Sequence, residues 1–197
     1  MITLLEPDQY YSQRNNKIFP SRACMPTARV MFYQANRIAY SANAKFSDDD
    51  FFMHLLNTQE AKDYCYKKYP WAYNLKDPEK SIPPNEVHGM YAWLDVKVTG
   101  KRMSDFVTNL SWDDIVQSIQ NRKAIMTSGT FGNILGHAFV FVGYKEDTKE
   151  LLIADPYGDY KTSYKNPRGY NITMNYEDFC THTKPAGEFL KWGHIVL

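Results

Sequence analysis

One cysteine, one histidine and one aspartate in this chain have the types and the order that nucleophilic acyl transfer requires. Cys24 stands directly before Met25-Pro26-Thr27, and Pro26 suits a first helical turn, where its missing N–H costs nothing. Behind it Val30, Met31, Gln34, Ile38 and Ala42 recur at roughly helical spacing, which predicts a helix as far as about Asn43. A thiol at a helix N-terminus beside an imidazole is favoured as thiolate, the nucleophilic form. His137 opens the apolar run HAFVFVGY after the glycine-flanked GTFGNILG, and Asp155 closes LLIADP. Should the two runs pair as antiparallel strands, Asp155 falls near His137 and fixes its tautomer, leaving the other ring nitrogen for Cys24. Singly, these residues read as a core thiol, a hydrogen-bonded strand-edge histidine and an Asp-Pro turn. Together, in this order, they point to cleavage of an amide or ester. The oxyanion of such a reaction needs a donor besides the cysteine N–H. Gln13 is the first candidate, with Asn15 or Asn16 as alternatives.

These side chains need elements to carry them. Residues 7–23 are polar and turn-rich, an extended lead-in. Ser47 and the acids Asp48, Asp49 and Asp50 cap a second helix over Phe51 to Lys68, with the acids on a solvated surface. Residues 69–86 hold Pro70, Pro78, Pro83 and Pro84 and read as a loop or lid. Within and beyond it, Trp71, Tyr73, Tyr91 and Trp93 are candidates to hold an extended substrate chain. Ser104 or Asp105 is expected to cap a short segment through Leu110, and Ser111 with Asp114 introduces a helix to about Asn121. The second half changes period. KAIMTSG, HAFVFVGY and ELLIADP are short apolar runs bounded by turn residues, with a hairpin turn at Thr148-Lys149 and further strands near Tyr170–Met174 and Lys191–Leu197. Helices first and an antiparallel sheet afterwards predict an α+β fold, as a single domain over residues 1–197.

Composition narrows the function classes. The net charge of +1 and the lack of a basic stripe give no reason to expect a nucleic-acid partner. No apolar stretch approaches the ~18 residues of a membrane span, and Met1 to Tyr11 lacks the pattern of a secretory signal. The three cysteines are too few and too scattered for a disulfide framework; Cys65 and Cys180 read as structural. The five histidines show no HExxH or other ligand spacing, and Asp48–Asp50 lack the EF-hand pattern, so neither metal nor cofactor is expected.

The pieces YYSQRNNK, ACMPTARVMFY, GHAFVFVGY, LLIADPYGDY and SYKNPRGYNITMNYEDF resemble the C39-like branch of the papain-like cysteine peptidases, and most closely its phage-associated members. The resemblance implies Cys24 as nucleophile, His137 as base, Asp155 as its orienter and Gln13 as oxyanion donor, on helices packed against an antiparallel sheet. Met25 stands where the family often has glycine, and the interval from Gln13 to Cys24 is longer than usual. Relatives that cut leader peptides are usually joined to a membrane transporter, whereas phage-type relatives cut amide bonds in peptidoglycan. The resemblance therefore implies an endolysin-like enzyme, made in a host bacterial cytoplasm and acting at the cell wall. The competing expectations are a peptidase for protein substrates and a non-catalytic wall-binding or virion protein on the same fold.

Overall fold

The computed structural model describes residues 1–183 and 191–197. Its centre is an antiparallel sheet, made of β1 (Ile2–Thr3), β2 (Ser104–Thr108), β3 (Ile125–Phe131), β4 (Ile134–Lys145), β5 (Glu150–Ala154), β6 (Ile172–Met174) and β7 (Trp192–Val196). The strand order is β2-β7-β3-β4-β5-β6, with β1 laid against the far end of β4. The helices are α1 (Cys24–Ala35), α2 (Asp48–Leu56), α3 (Gln59–Lys68), α4 (Met90–Thr99), α5 (Trp112–Gln120) and α6 (Tyr176–His182). This is the expected α+β class, with one extension: both faces of the sheet are covered.

The side-chain alternation of the central strands explains the two layers. Ala138, Val140 and Val142 of β4, with Leu152 and Ala154 of β5, pack with α1 to α4. Phe139, Phe141, Leu151 and Ile153 face the other way, with Ile115, Ile119 and Phe179 from α5 and α6. A strand buried on both faces reads as a continuous apolar run, which is why HAFVFV shows no polar alternation. Gly143 lies at a shift in the β4–β5 register. A Cβ there would come 2.4 Å from the carbonyl oxygen of Ile2, so only glycine lets β1 close on β4.

Several boundaries differ from the sequence reading for identifiable reasons. α1 stops at Ala35, short of Asn43, because Arg37 takes a left-handed conformation (φ 54°) and Ile38 N–H turns back to Tyr33 O. Asn36 fixes that turn, its side chain bonding Phe32 O, Ala124 O and Ala124 N–H. The stretch read as one helix to Lys68 is two, divided at Asn57 and Thr58, where the Thr58 hydroxyl accepts from Ala61 N–H and caps α3. Residues 104–108 form the strand β2, paired along its length with β7, so Ser104 does not cap a helix. The acids of α2 are not on a solvated surface. Asp50 is buried and accepts the N–H groups of Lys17 and Ile18, and Asp48 accepts the hydroxyls of Tyr11 and Tyr40. They tie the lead-in to α2 and so hold the segment that carries Gln13.

A buried charge fixes α1. Arg29 is fully withdrawn from water and bonds Asp95 of α4 and Ser104 of β2, while Tyr33 donates to the same carboxylate. The second oxygen of Asp95 accepts from Met103 and Ser104 N–H, both at 3.0 Å. Burial alone would favour a neutral Arg29, but Tyr33 and Asp95 hold its proton more firmly than usual. Removing one partner of such a pair strands the other. Asp95→Ala is expected to cost about 3–5 kcal/mol in urea unfolding, and a loss below about 1 kcal/mol would contradict this role.

Candidate active site

Cys24 is the first residue of α1 and half-buried. Phe19 in the left-handed region (φ 47°) starts the 3-10 turn Pro20–Arg22, which reverses the chain into the helix. The first helical bond, Thr27 N–H to Ala23 O, leaves the N–H groups of Cys24 and Met25 without acceptors inside the helix. Met25 buries its side chain in the core below α1, so it does not stand between Cys24 and solvent.

β4 and β5 pair antiparallel, with Val140 opposite Ala154. One step further, Asp155 lies diagonal to His137, and His137 Nε2 is 2.6 Å from Asp155 Oδ1. Both side chains are buried. Nδ1 is then the ring nitrogen left for Cys24. Burial is the largest influence on His137 and acts to lower its pKa. The Asp155 charge and hydrogen bond, with a smaller contribution from Cys24, outweigh it and raise the pKa to about 10. His137 is thus held as imidazolium.

Asp155 is itself held from four sides. Tyr157 N–H donates to Oδ1 at 2.8 Å and the Tyr164 hydroxyl reaches Oδ2 at 3.4 Å. Its backbone N–H bonds Gly169 O at 2.8 Å. Its carbonyl accepts the Tyr10 hydroxyl at 2.9 Å, and that hydroxyl accepts Gly169 N–H in turn. Gly169 is required here, since a Cβ would lie 2.0 Å from the Asp155 carbonyl oxygen. The rings of Phe131, Tyr157 and Tyr164 stand edge-on around His137 with centroids 6.1–6.2 Å away.

The lead-in brings Gln13 to this place. Gln13 N–H bonds Pro156 O at 2.9 Å, and its Nε2 donates to Pro20 O at 2.8 Å in the turn entering Cys24. Among the described residues its other amide hydrogen has no acceptor. Asn16 is turned away, its buried amide lying between Thr27 and Asp49, and Asn15 is exposed. Of the three residues considered as oxyanion donors, only Gln13 bonds both to the turn before Cys24 and to the residue after Asp155. The other thiols are remote in character: burial pushes Cys65 up to about 11, and Cys180 lies on α6.

Sequence reasoning missed Tyr10, Tyr157, Tyr164 and Gly169. Tyr157 and Tyr164 flank the Asp155 turn within a tyrosine-rich stretch, but nothing in the spacing separates them from packing residues. The aromatic set proposed for substrate is not one surface. Tyr91 is fully buried, its hydroxyl bonding Asn85 O, while Trp71 is exposed. Trp93 lines a separate groove of about 460 Å³ with Tyr64, Tyr69 and Phe106. Nor is residues 69–86 a free lid at its end: Asn85 is buried and donates to Arg22 O at 3.2 Å, beside the turn into Cys24.

The Peptidase_C39 like family matches residues 8–180. The chain belongs to this family. That stretch contains the Cys24 helix, both central strands and the Asp155 turn. No curated protein sequence matches the chain. Membership supports a cysteine peptidase, a hydrolase, on the α+β fold described above.

The raised His137 pKa carries a sign. Its stabilisation by Asp155 is complete below the ordinary value of 6.5 and is lost as pH rises through about 10. Wild type should therefore exceed Asp155→Asn in urea stability by on the order of 2–4 kcal/mol near neutral pH and below. The difference should shrink toward pH 10. A difference that stayed constant or grew with pH would contradict the pairing.

Proposed function

We propose that this chain is a thiol-dependent hydrolase that cuts an amide bond in bacterial peptidoglycan. The observation carrying the reading is the 2.6 Å contact of His137 with Asp155, with Gln13 tying the residue after Asp155 to the turn that enters Cys24. The Cys24 thiolate attacks the amide carbon, forming the C–S bond. Cys24 N–H and the remaining Gln13 amide hydrogen receive the oxyanion. As the C–N bond breaks, the proton on His137 Nδ1 passes to the departing amine, leaving a thioester. Nδ1 then takes a proton from water, whose oxygen attacks the thioester; the C–S bond breaks and the acid leaves. Asp155 holds the imidazole through Nε2 and stabilises its charge in both halves.

The substrate class is supported by the resemblance of the Gln13, Cys24, His137 and Asp155 segments to phage-associated relatives. On that reading the protein is made in a bacterial cytoplasm and meets the wall after release from it. The test is mass-resolved digestion of purified peptidoglycan. Wild type should release new fragments whose masses identify the bond, and Cys24→Ala should release none while keeping the fold. His137→Ala should lower turnover about 10³-fold or more, and Asp155→Ala should leave a trace. Fragments of equal yield from Cys24→Ala would sink the mechanism. Absence of fragments across several wall types, with cleavage of a protein substrate instead, would overturn the substrate.

A further inference from the structure

We infer that Arg14 is a specificity residue that binds a carboxylate on the substrate beside the scissile amide. This rests on the thiol-hydrolase reading of the same site. Arg14 follows Gln13, whose N–H is fixed to Pro156 O next to Asp155. Its guanidinium lies over the Tyr157 ring, 4.3 Å from the centroid, and Nη2 donates to Tyr164 O at 2.9 Å. Tyr157 and Tyr164 are in edge contact with each other at 5.1 Å, and both stand edge-on to His137. The cation is therefore one ring away from the reacting imidazole.

The group is exposed, and the Tyr164 carbonyl uses one of its five donors. Among the described residues no carboxylate forms a salt bridge with it: the arginines that do are Arg22, Arg29 and Arg102. Stacking on Tyr157 fixes the plane of the guanidinium, which lowers the entropy lost when a ligand binds. A planar, fixed fork suits a carboxylate, which it can receive through two parallel hydrogen bonds. The stem peptides of peptidoglycan carry free carboxylates near their amide bonds, so the residue fits the proposed substrate. It would favour an acidic chain over its amidated counterpart.

Two alkylating agents that differ only in that charge test this without knowledge of the substrate. Iodoacetate and iodoacetamide are reacted with the whole protein at low ionic strength, and modification of Cys24 is followed by peptide mass spectrometry. Arg14→Gln should slow iodoacetate by about two- to fivefold while leaving iodoacetamide unchanged. Arg14→Lys should keep part of the iodoacetate preference, and Lys17→Gln, removing an exposed cation from the same lead-in, should keep all of it. An unaltered ratio of the two rates in Arg14→Gln would overturn the role of Arg14. Failure of Cys24 to react with either agent would overturn the thiol-hydrolase reading itself, and the inference with it.

Discussion

A charged hydrogen bond of 2.6 Å between His137 and Asp155, both withdrawn from water, is the interaction on which the site depends. Left alone, burial would drive the imidazole neutral. The carboxylate reverses that preference, and the sulfur of Cys24 adds to it. Much of the surrounding structure answers to the need to keep Asp155 in place. Two tyrosine hydroxyls, the Tyr157 N–H and the backbone of Gly169 all converge on this residue. Gly169 is constrained by proximity, since any side chain there would collide with the Asp155 carbonyl.

The same economy of position governs the nucleophile. α1 is anchored by its own buried charge, Arg29, to α4 and β2, so its N-terminus has little freedom to move relative to the sheet. The lead-in is held by Asp48 at Tyr11 and by Asp50 at Lys17, and Gln13 between them is tied to Pro156. The lead-in runs straight into the helix, whereas the Asp155 turn is far off in sequence, and the hydrogen bonds of Tyr10 and Gln13 join the two.

Much of this was legible from residue types. Pro26 marked the start of α1, Ser111 and Asp114 formed the capping box of α5, and Lys149 took the left-handed turn of the β4–β5 hairpin. Cys24 opens α1 and Asp155 follows β5, as their places in the sequence indicated, whereas His137, read as the start of a strand, lies inside β4, because the preceding GTFGNILG run pairs as the β3–β4 hairpin. What could not be read depends on contacts far apart in the chain. α4 is apolar on more than one face, because it lies between α2 and β2, and so offers no stripe. The acids of α2 looked like solvated caps because their partners, Lys17, Tyr11 and Tyr40, lie elsewhere in the chain. Tyr10 is indistinguishable by pattern from Tyr11, yet only Tyr10 reaches the Asp155 carbonyl.

The central claim is that His137 is held as imidazolium by Asp155 and Cys24. Nitrogen-15 NMR of the resting protein, with His137 assigned by substitution, reads this directly. Both ring nitrogens should carry protons at neutral pH, and deprotonation should occur far above the ordinary 6.5, toward about 10. A neutral ring at pH 7, titrating at or below 6.5, would contradict the account.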